Sequence, residues 1–172
     1  MAQSTTPDDI DTLVKQWQDQ DQVSDPDALQ IVARILRLAK ILESHQCRLH
    51  SQFGLKPGEF DVLAALRRSP EPALTPSQLH QTMLLSSGAM TCRLDRLEKK
   101  QLIRRKHCTH DRRSVNVSLT EKGSTLIDEI LPAHFDLLSS LLTSMSDSDK
   151  ARLTQLLRNC LSCIPPLTEQ KK

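Results

Sequence analysis

The chain has 172 residues and a formal net charge of only +2, so it can bury a substantial core as one domain and is not basic throughout. It contains one Trp, three Phe and no Tyr, which argues against binding single-stranded nucleic acid by stacking bases on aromatic side chains. It shows no apolar run of membrane-spanning length and no signal peptide, and we therefore expect a cytoplasmic protein without a membrane partner.

The N-terminal third is predicted to be helical. Apolar side chains follow the helical period at Ile10, Leu13, Val14 and Trp17. They predict a short amphipathic helix capped by Asp8 or Asp9. After a polar linker, Asp25 and Pro26 begin a long helix that continues towards Phe53, where Gly54 ends it.

Two short helices joined by a tight turn are predicted after a third helix over residues 57–67. Thr75 caps the first of the pair, and Gln78 stands where a capping box needs Glu or Gln. The second helix has a buried stripe made of Met90, Leu94 and Leu97. Its opposite face is polar and basic, so the pair is predicted to be a helix-turn-helix.

A β-hairpin is predicted directly behind this helix pair. Residues 103–107 indicate a strand, and the alternation from Val115 to Leu119 predicts a half-buried second strand. The polar tip between them carries Arg112 and Arg113. A helix-turn-helix followed by a hairpin with arginines at its tip predicts binding to double-stranded DNA, and the alternative is a hairpin with ordinary surface charge.

The positive charge is concentrated in this same region. The basic residues are Arg93, Arg96, Lys99, Lys100, Arg104, Arg105, Lys106, Arg112 and Arg113. Because the net charge is small, a cluster of this kind is what gives the chain a basic surface.

Two helices are predicted downstream of the hairpin. Thr120 caps the first, which Pro132 should kink rather than end, and Ser146 caps the second, which runs to Ile164. The helices at both ends of the chain are more apolar than one small domain can cover. We therefore expect them to pair with a second copy in a homodimer, and the alternative is that they fold back on their own core.

The runs RLDRLEKKQLIRR and DRRSVNVSLTEKG resemble the winged helix-turn-helix of MarR-type bacterial transcription regulators. The resemblance extends upstream through GLKPGEFDVLAAL and downstream towards the C-terminus. It implies a single MarR-type domain over residues 1–172, mainly α with a small β-hairpin wing. The DNA-binding region would span about 55–120, and dimerisation helices about 9–53 and 121–164. Gln101 departs from the family, which usually has Gly at this helix end.

The resemblance implies a sequence-specific repressor that binds a palindromic operator as a homodimer. In a helix-turn-helix the start of the second helix faces the base edges, and an arginine on the wing enters the minor groove. The candidate DNA-binding residues are Ser86, Ser87, Gly88, Thr91, Cys92, Arg93, Arg96, Arg112 and Arg113.

Within the family the chain looks most like the urate-responsive PecS and HucR-type subgroup, which carries an additional N-terminal helix. The subgroup's ligand residues correspond to Trp17, Asp61, Arg68 and Arg105. An indole can stack on urate, which is a flat anion, and a guanidinium can bind its oxygens bidentately. Asp61 would tie its helix to an arginine until the ligand breaks that pair. A phenolic or other lipophilic aromatic effector is the alternative.

Other chemistries have weaker support in the sequence. The five cysteines include a Cys160–Cys163 pair in the C-x-x-C pattern and a Cys108 beside basic residues, which leaves a cysteine-based oxidant sensor open. His107, Cys108 and His110 cluster at an exposed hairpin tip, which does not favour a metal site. No catalytic motif or cofactor motif is present, so we expect no enzyme, no cofactor and no bound metal.

Overall fold

The computed structural model describes residues 6–83, 87–107 and 115–164, and only the backbone of residues 87–89 and 107. The helices before the hairpin are α1 (Asp9–Gln18), α2 (Pro26–Gln52), α3 (Glu59–Arg68), α4 (Pro76–Met83) and α5 (Ser87–Lys99). They are followed by β1 (Ile103–His107), β2 (Val115–Leu119), α6 (Glu121–Leu141) and α7 (Asp147–Cys163). The predicted mainly α fold with one β-hairpin is confirmed.

The chain forms two compact units, Met1–Ile130 and Leu131–Lys172, and α6 runs through the boundary between them. The first unit contains the hydrophobic core. Its most deeply buried side chains include Val62, Leu63, Leu79, Leu97, Ile103, Val117, Ile127 and Ile130. In the described part of the second unit no residue of α7 is buried.

The predicted N-terminal helices begin at the expected caps. Asp8 caps α1 and forms a reciprocal capping box with Asp11, and Asp25 accepts the backbone N–H of Ala28 at 2.9 Å at the start of α2. Arg34 of α2 donates to both Asp8 and Asp11, at 3.0 and 2.6 Å. The capping carboxylates of α1 are therefore also its ion-pair contacts with α2.

The helix-turn-helix packs on α3. The predicted capping box is present, since Thr75 accepts the backbone N–H of Gln78 at 3.2 Å and the Gln78 side chain accepts the N–H of Thr75 at 2.7 Å. The predicted apolar stripe of α5 is buried at Met90, Leu94 and Leu97. These contacts fix the second helix of the pair against the core.

The hairpin is antiparallel, with Ile103 opposite Leu119 and His107 opposite Val115. Leu74 joins it as an isolated bridge, because its N–H and C=O both bond to Val117, at 2.9 and 2.8 Å. The loop before α4 is thereby tied to the sheet. The hairpin tip, residues 108–114, lies outside the described residues, and so does the predicted arginine pair there.

The two C-terminal helices also begin as predicted. Thr120 accepts the backbone N–H of Gly123 at 3.0 Å at the start of α6, and Ser146 accepts the N–H of Asp149 at 3.2 Å at the start of α7. Pro132 lies inside α6 without ending it. No helix in the described ranges is long and apolar enough to cross a membrane.

Candidate DNA interface

The outward face of α5 carries two of the residues that the sequence assigned to DNA. Thr91 and Cys92 are exposed, on the face opposite the buried stripe. Ser87 and Gly88 begin the helix in the backbone, while Ser86 lies outside the described residues. A helix that is buried on one side and polar on the other can present its first turns to a groove.

The end of α5 is closed by a Schellman arrangement centred on Gln101. The N–H of Gln101 bonds to the carbonyl of Glu98 at 2.8 Å, and the N–H of Leu102 bonds to the carbonyl of Leu97 at 3.0 Å. Gln101 has a φ of +62°, the left-handed conformation that favours Gly. The chain thus keeps the geometry expected of a glycine at this position and accepts the strain of a side chain.

Glu59, in the first turn of α3, is an ion-pair centre that sequence reasoning missed. Its side chain is fully buried, and it receives Arg96 Nε at 2.9 Å and Lys100 Nζ at 2.5 Å. The backbone N–H of Lys56 also donates to it, at 2.9 Å. Arg96 of α5 and Lys100, the residue that follows α5, are therefore both bound to an acidic residue of α3.

The ionisation of Glu59 follows from these contacts. Burial alone raises the pKa of a carboxyl group, but the hydrogen bonds from Lys100, from the Lys56 N–H and from Arg96 together outweigh burial and hold the pKa of Glu59 below its usual range. The pKa of Arg96 is raised, chiefly by its hydrogen bond to Glu59. The pair is therefore charged at neutral pH.

Arg93 also lies against the start of α3. Gly58 has a φ of +78°, and a β-carbon there would come within 2.1 Å of the Arg93 guanidinium carbon. The predicted DNA contacts Arg93 and Arg96 thus both lie at the α3–α5 contact, and the side chain of Arg96 is 31% exposed.

Arg105, on β1, connects the hairpin to α5. Its Nη2 lies 2.5 Å from Asp95 Oδ1, its Nε lies 3.5 Å from Glu98 Oε2, and its backbone N–H donates to Glu98 at 3.2 Å. Both carboxylates belong to α5. The wing strand and the candidate recognition helix are therefore linked by ion pairs as well as by packing.

The four predicted effector residues lie on three elements. Trp17 is 49% exposed in the last turn of α1, Asp61 and Arg68 are exposed on α3, and Arg105 is on β1. Asp61 and Arg68 are seven positions apart and share one helix face. No hydrogen bond or ion pair joins any two of the four, all of which are described residues. The expected tie between Asp61 and an arginine is thus absent here, and the carboxylates paired with Arg105 are Asp95 and Glu98.

A cationic cavity of about 510 Å³ borders α2. Its lining residues are Arg37, Lys40, Ile41, Ser44, His45 and Arg48. Arg37 is paired with Asp9 of α1. The volume is in the range of small-molecule sites, and the lining suits an anion.

The cysteines have different surroundings. Burial, and then the negative charges of Glu43 and Asp61, raise the pKa of the Cys47 thiol, which makes it a poor nucleophile at neutral pH. Cys160 is half-buried and Cys163 exposed on α7, while Cys108 lies outside the described residues. Among the residues with described positions, no group of three or more His, Cys, Asp or Glu could hold a metal ion.

A helix-turn-helix with an antiparallel hairpin behind it defines a winged-helix DNA-binding protein. Residues 53–114 match the family model described as MarR family. The HTH-type transcriptional regulator PecS of Dickeya dadantii (strain 3937) is 31% identical over 150 residues, which cover 87% of this chain and 90% of PecS. The transcriptional repressor MprA of Escherichia coli (strain K12) is 32% identical over 124 residues, covering 72% of this chain and 70% of MprA.

A solved structure supports the same assignment. The crystal structure of a mutant MarR from Escherichia coli complexed with operator DNA is similar with a TM-score of 0.66 and 26% identity, over 78% of this chain and 99% of that one. The chain belongs to the MarR family of transcription regulators, in the PecS subgroup. These relatives are regulators and not enzymes.

Proposed function

We propose that this MarR-family protein is a repressor that binds a palindromic operator as a homodimer and is released by a small anionic aromatic ligand, urate or a related purine. The observation that carries the DNA-binding part is the exposed polar face of α5 beside an antiparallel hairpin, in a chain similar to a MarR variant solved with operator DNA. A regulator acts where the chromosome is, and we therefore assign it to the cytoplasm as part of this proposal.

The proposed contacts are those assigned from the sequence. The start of α5 would read base edges through Ser86, Ser87, Gly88, Thr91 and Cys92. Arg93 and Arg96 would contact bases or phosphates, and Arg112 and Arg113 would reach the adjacent minor groove.

Dimerisation is supported by apolar side chains that remain exposed on the terminal helices. On α2 these are Ile31, Val32, Ile35, Leu36, Leu38 and Ile41. On α7 they are Leu153, Leu156, Leu157 and Leu161. Monomeric proteins rarely expose apolar stripes of this extent, so a second copy is the occupant we propose. A two-fold dimer would present its two α5 helices to half-sites about 34 Å apart, one turn of DNA.

Salt dependence tests the DNA contacts. Arg112→Ala and Arg113→Ala should weaken binding to a promoter duplex in a gel shift with excess nonspecific DNA. Each lost phosphate contact should reduce the slope of log K against log salt by about 0.9. Arg67→Ala is the matched control, because it also removes one arginine, but at a position outside the wing that is paired with Asp128. If neither wing variant differs from this control, the proposed wing contacts are wrong.

The effector part of the proposal rests on Trp17, Asp61, Arg68 and Arg105. Urate would stack on the indole and bind a guanidinium. An anion that takes Arg105 must compete with Asp95 and Glu98 of α5 for it. Ligand binding would therefore remove the ion pairs that link β1 to α5, and the orientation of α5 would change.

Titration calorimetry with urate tests the effector. Wild type should bind, and Trp17→Phe and Arg105→Ala should bind more weakly. Arg104→Ala is the matched control on the same strand, since Arg104 bonds Ser118 and is outside the proposed ligand set. No binding by wild type at millimolar urate, together with unchanged DNA affinity, would remove urate from the proposal and leave the regulator.

The second candidate is a regulator that responds to phenolic or other lipophilic aromatic compounds. The cationic cavity at α2 gives an aromatic carboxylate an alternative site. Lys40→Gln and Arg48→Gln should then weaken salicylate binding while Arg105→Ala does not. Wild type and these three variants, each titrated with urate and with salicylate, distinguish the two ligands and the two sites.

A further inference from the structure

Two basic side chains near the end of α5 are bound to residues in and before α3. Lys100 Nζ bonds both Glu59 and the carbonyl of Gly54, at 2.5 and 2.8 Å. Arg96 Nε bonds the other carboxylate oxygen of Glu59 at 2.9 Å. Each cation is still 31% exposed, so each remains close to the surface that would face DNA.

Glu59 itself has no contact with solvent. A buried carboxylate is stable only when it is paired and hydrogen-bonded, and here both oxygens and the neighbouring Lys56 N–H take part. The Glu59 carboxylate therefore fixes the positions of both cationic groups. A phosphate group that attracted Arg96 or Lys100 would have to take from this buried carboxylate one of its two cationic partners.

This arrangement bears on specificity. Nonspecific binding to DNA depends on how many cations reach phosphates, whereas specific binding also depends on correctly oriented contacts to bases. A cation that is held by the protein adds little to nonspecific binding. An arginine with one nitrogen fixed has fewer orientations available for its remaining N–H groups.

We propose that Glu59 is a specificity-determining positioning residue. By binding both cations, it orients Arg96 for contact with DNA and withholds Lys100 from phosphates. The inference rests on the proposed DNA-binding function of α5. It assigns to the buried carboxylate a role in the ratio of operator affinity to nonspecific affinity.

The test compares Glu59→Gln with wild type on a promoter duplex and on a scrambled duplex, over a range of salt concentrations. For the scrambled duplex the salt slope should steepen by about 0.9 for each freed cation. Affinity for the operator should rise less than affinity for the scrambled duplex, so the ratio of the two affinities should fall about fivefold or more. Asp128→Asn is the matched control, because it makes the same charge change at an exposed carboxylate paired with Arg67. Its specificity ratio should equal that of wild type.

Lys100→Gln gives an independent result if Glu59→Gln folds poorly. Because Lys100 is already held by Glu59, its loss should leave the salt slope of wild type nearly unchanged. A decrease of about 0.9 would mean that Lys100 contacts a phosphate, and the inference would be overturned.

The remaining outcomes separate this inference from the proposed function. If Glu59→Gln lowers both affinities by one common factor that follows the folded fraction, Glu59 is only structural and the inference is overturned. If wild type distinguishes the two duplexes and Glu59→Gln matches Asp128→Asn, the inference fails alone. If wild type binds neither duplex, the proposed function fails and the inference falls with it.

Discussion

The hydroxyl of Thr120 donates to the carbonyl of Gln101 at 2.7 Å, which joins the start of α6 to the end of α5. Lys122 Nζ bonds the neighbouring carbonyl of Lys100 at 3.0 Å. The carbonyls of the two residues that follow α5 are thus satisfied from the start of α6, and this holds the left-handed backbone at Gln101 in place. The side chain of Gln101 is exposed, so the position needs a backbone conformation and not a particular side chain.

Replacing Gln101 with glycine should stabilise the fold. A non-glycine residue in the left-handed region costs about 1–2 kcal/mol. Glycine relieves this strain, but its larger conformational entropy in the unfolded chain offsets part of the gain in stability. We expect Gln101→Gly to raise the free energy of unfolding by about 0.5–1 kcal/mol in urea denaturation. Lys99→Gly, at the last helical position of α5, is the control and should lower it by up to about 1 kcal/mol. If Gln101→Gly also lowers it, the strain at Gln101 is not real.

Gly123 should tolerate no side chain. A β-carbon there would lie 1.9 Å from the backbone oxygen of Leu102, which also accepts the N–H of Thr120 at 3.1 Å. Since the obstacle is the backbone of Leu102, α6 would have to move away from the end of α5. We expect Gly123→Ala to cost about 2–3 kcal/mol in the free energy of unfolding.

Gly54→Ala is the comparison for this prediction. Gly54 has a φ of +70° and open space around it, so its substitution meets strain but no overlap. It should cost about 1 kcal/mol. Equal losses for the two variants would mean that the close approach at Gly123 has no energetic consequence.

The helix starts could be predicted because their signals are local. Asp8, Asp25, Thr75, Thr120 and Ser146 each cap a helix through a side chain that reaches a backbone N–H two or three residues ahead. Such a bond depends on a few neighbouring residues only. The apolar stripe of α5 was predictable for the same reason, because its period is that of a single helix.

The contacts of Glu59 could not be predicted in this way. Its partners Arg96 and Lys100 are 37 and 41 positions away, and their approach depends on how α3 packs on α5. The same holds for Arg105, whose ion pairs with Asp95 and Glu98 depend on how the hairpin lies against α5. A sequence gives the charge of such residues but not their partners, and for this reason Arg96 was assigned to DNA without its acidic neighbour.

The ion pairs of Glu59 should make stability depend on pH in the acid range. Because the folded pKa of Glu59 lies below its ordinary value, its contribution is complete above that ordinary value, about 4.3, and is lost as the pH falls through it towards the folded pKa. The pKa of Arg96 is raised by its hydrogen bond to Glu59, so its guanidinium stays charged over this range. Wild type should exceed Glu59→Gln in the free energy of unfolding by about 2–4 kcal/mol at pH 7, and the difference should shrink below about pH 4.

Urea denaturation at a series of pH values measures this difference. Asp128→Asn removes an exposed ion pair and should cost less than about 1 kcal/mol at pH 7. A gap between wild type and Glu59→Gln that is the same at pH 7 and pH 3 would contradict the role assigned to the charge of Glu59.

The thiols provide the last prediction, which separates steric block from oxidant sensing. Cys92 is exposed on the outward face of α5, with Arg96 Nη1 2.8 Å from its sulfur, whereas the pKa of Cys47 is raised by burial and by Glu43 and Asp61. Since the thiolate is the nucleophile, a thiol reagent at neutral pH should label Cys92 well before Cys47, as followed by mass spectrometry of quenched samples. A bulky adduct on Cys92 should abolish duplex binding, and Cys92→Ser should remove this sensitivity.

A physiological redox switch requires more, namely a peroxide response that is lost when Cys47, Cys108, Cys160 or Cys163 is replaced by Ser. If those four variants keep both DNA binding and any peroxide response, oxidant sensing by these thiols is excluded, and modification of Cys92 remains a block of the DNA-facing surface.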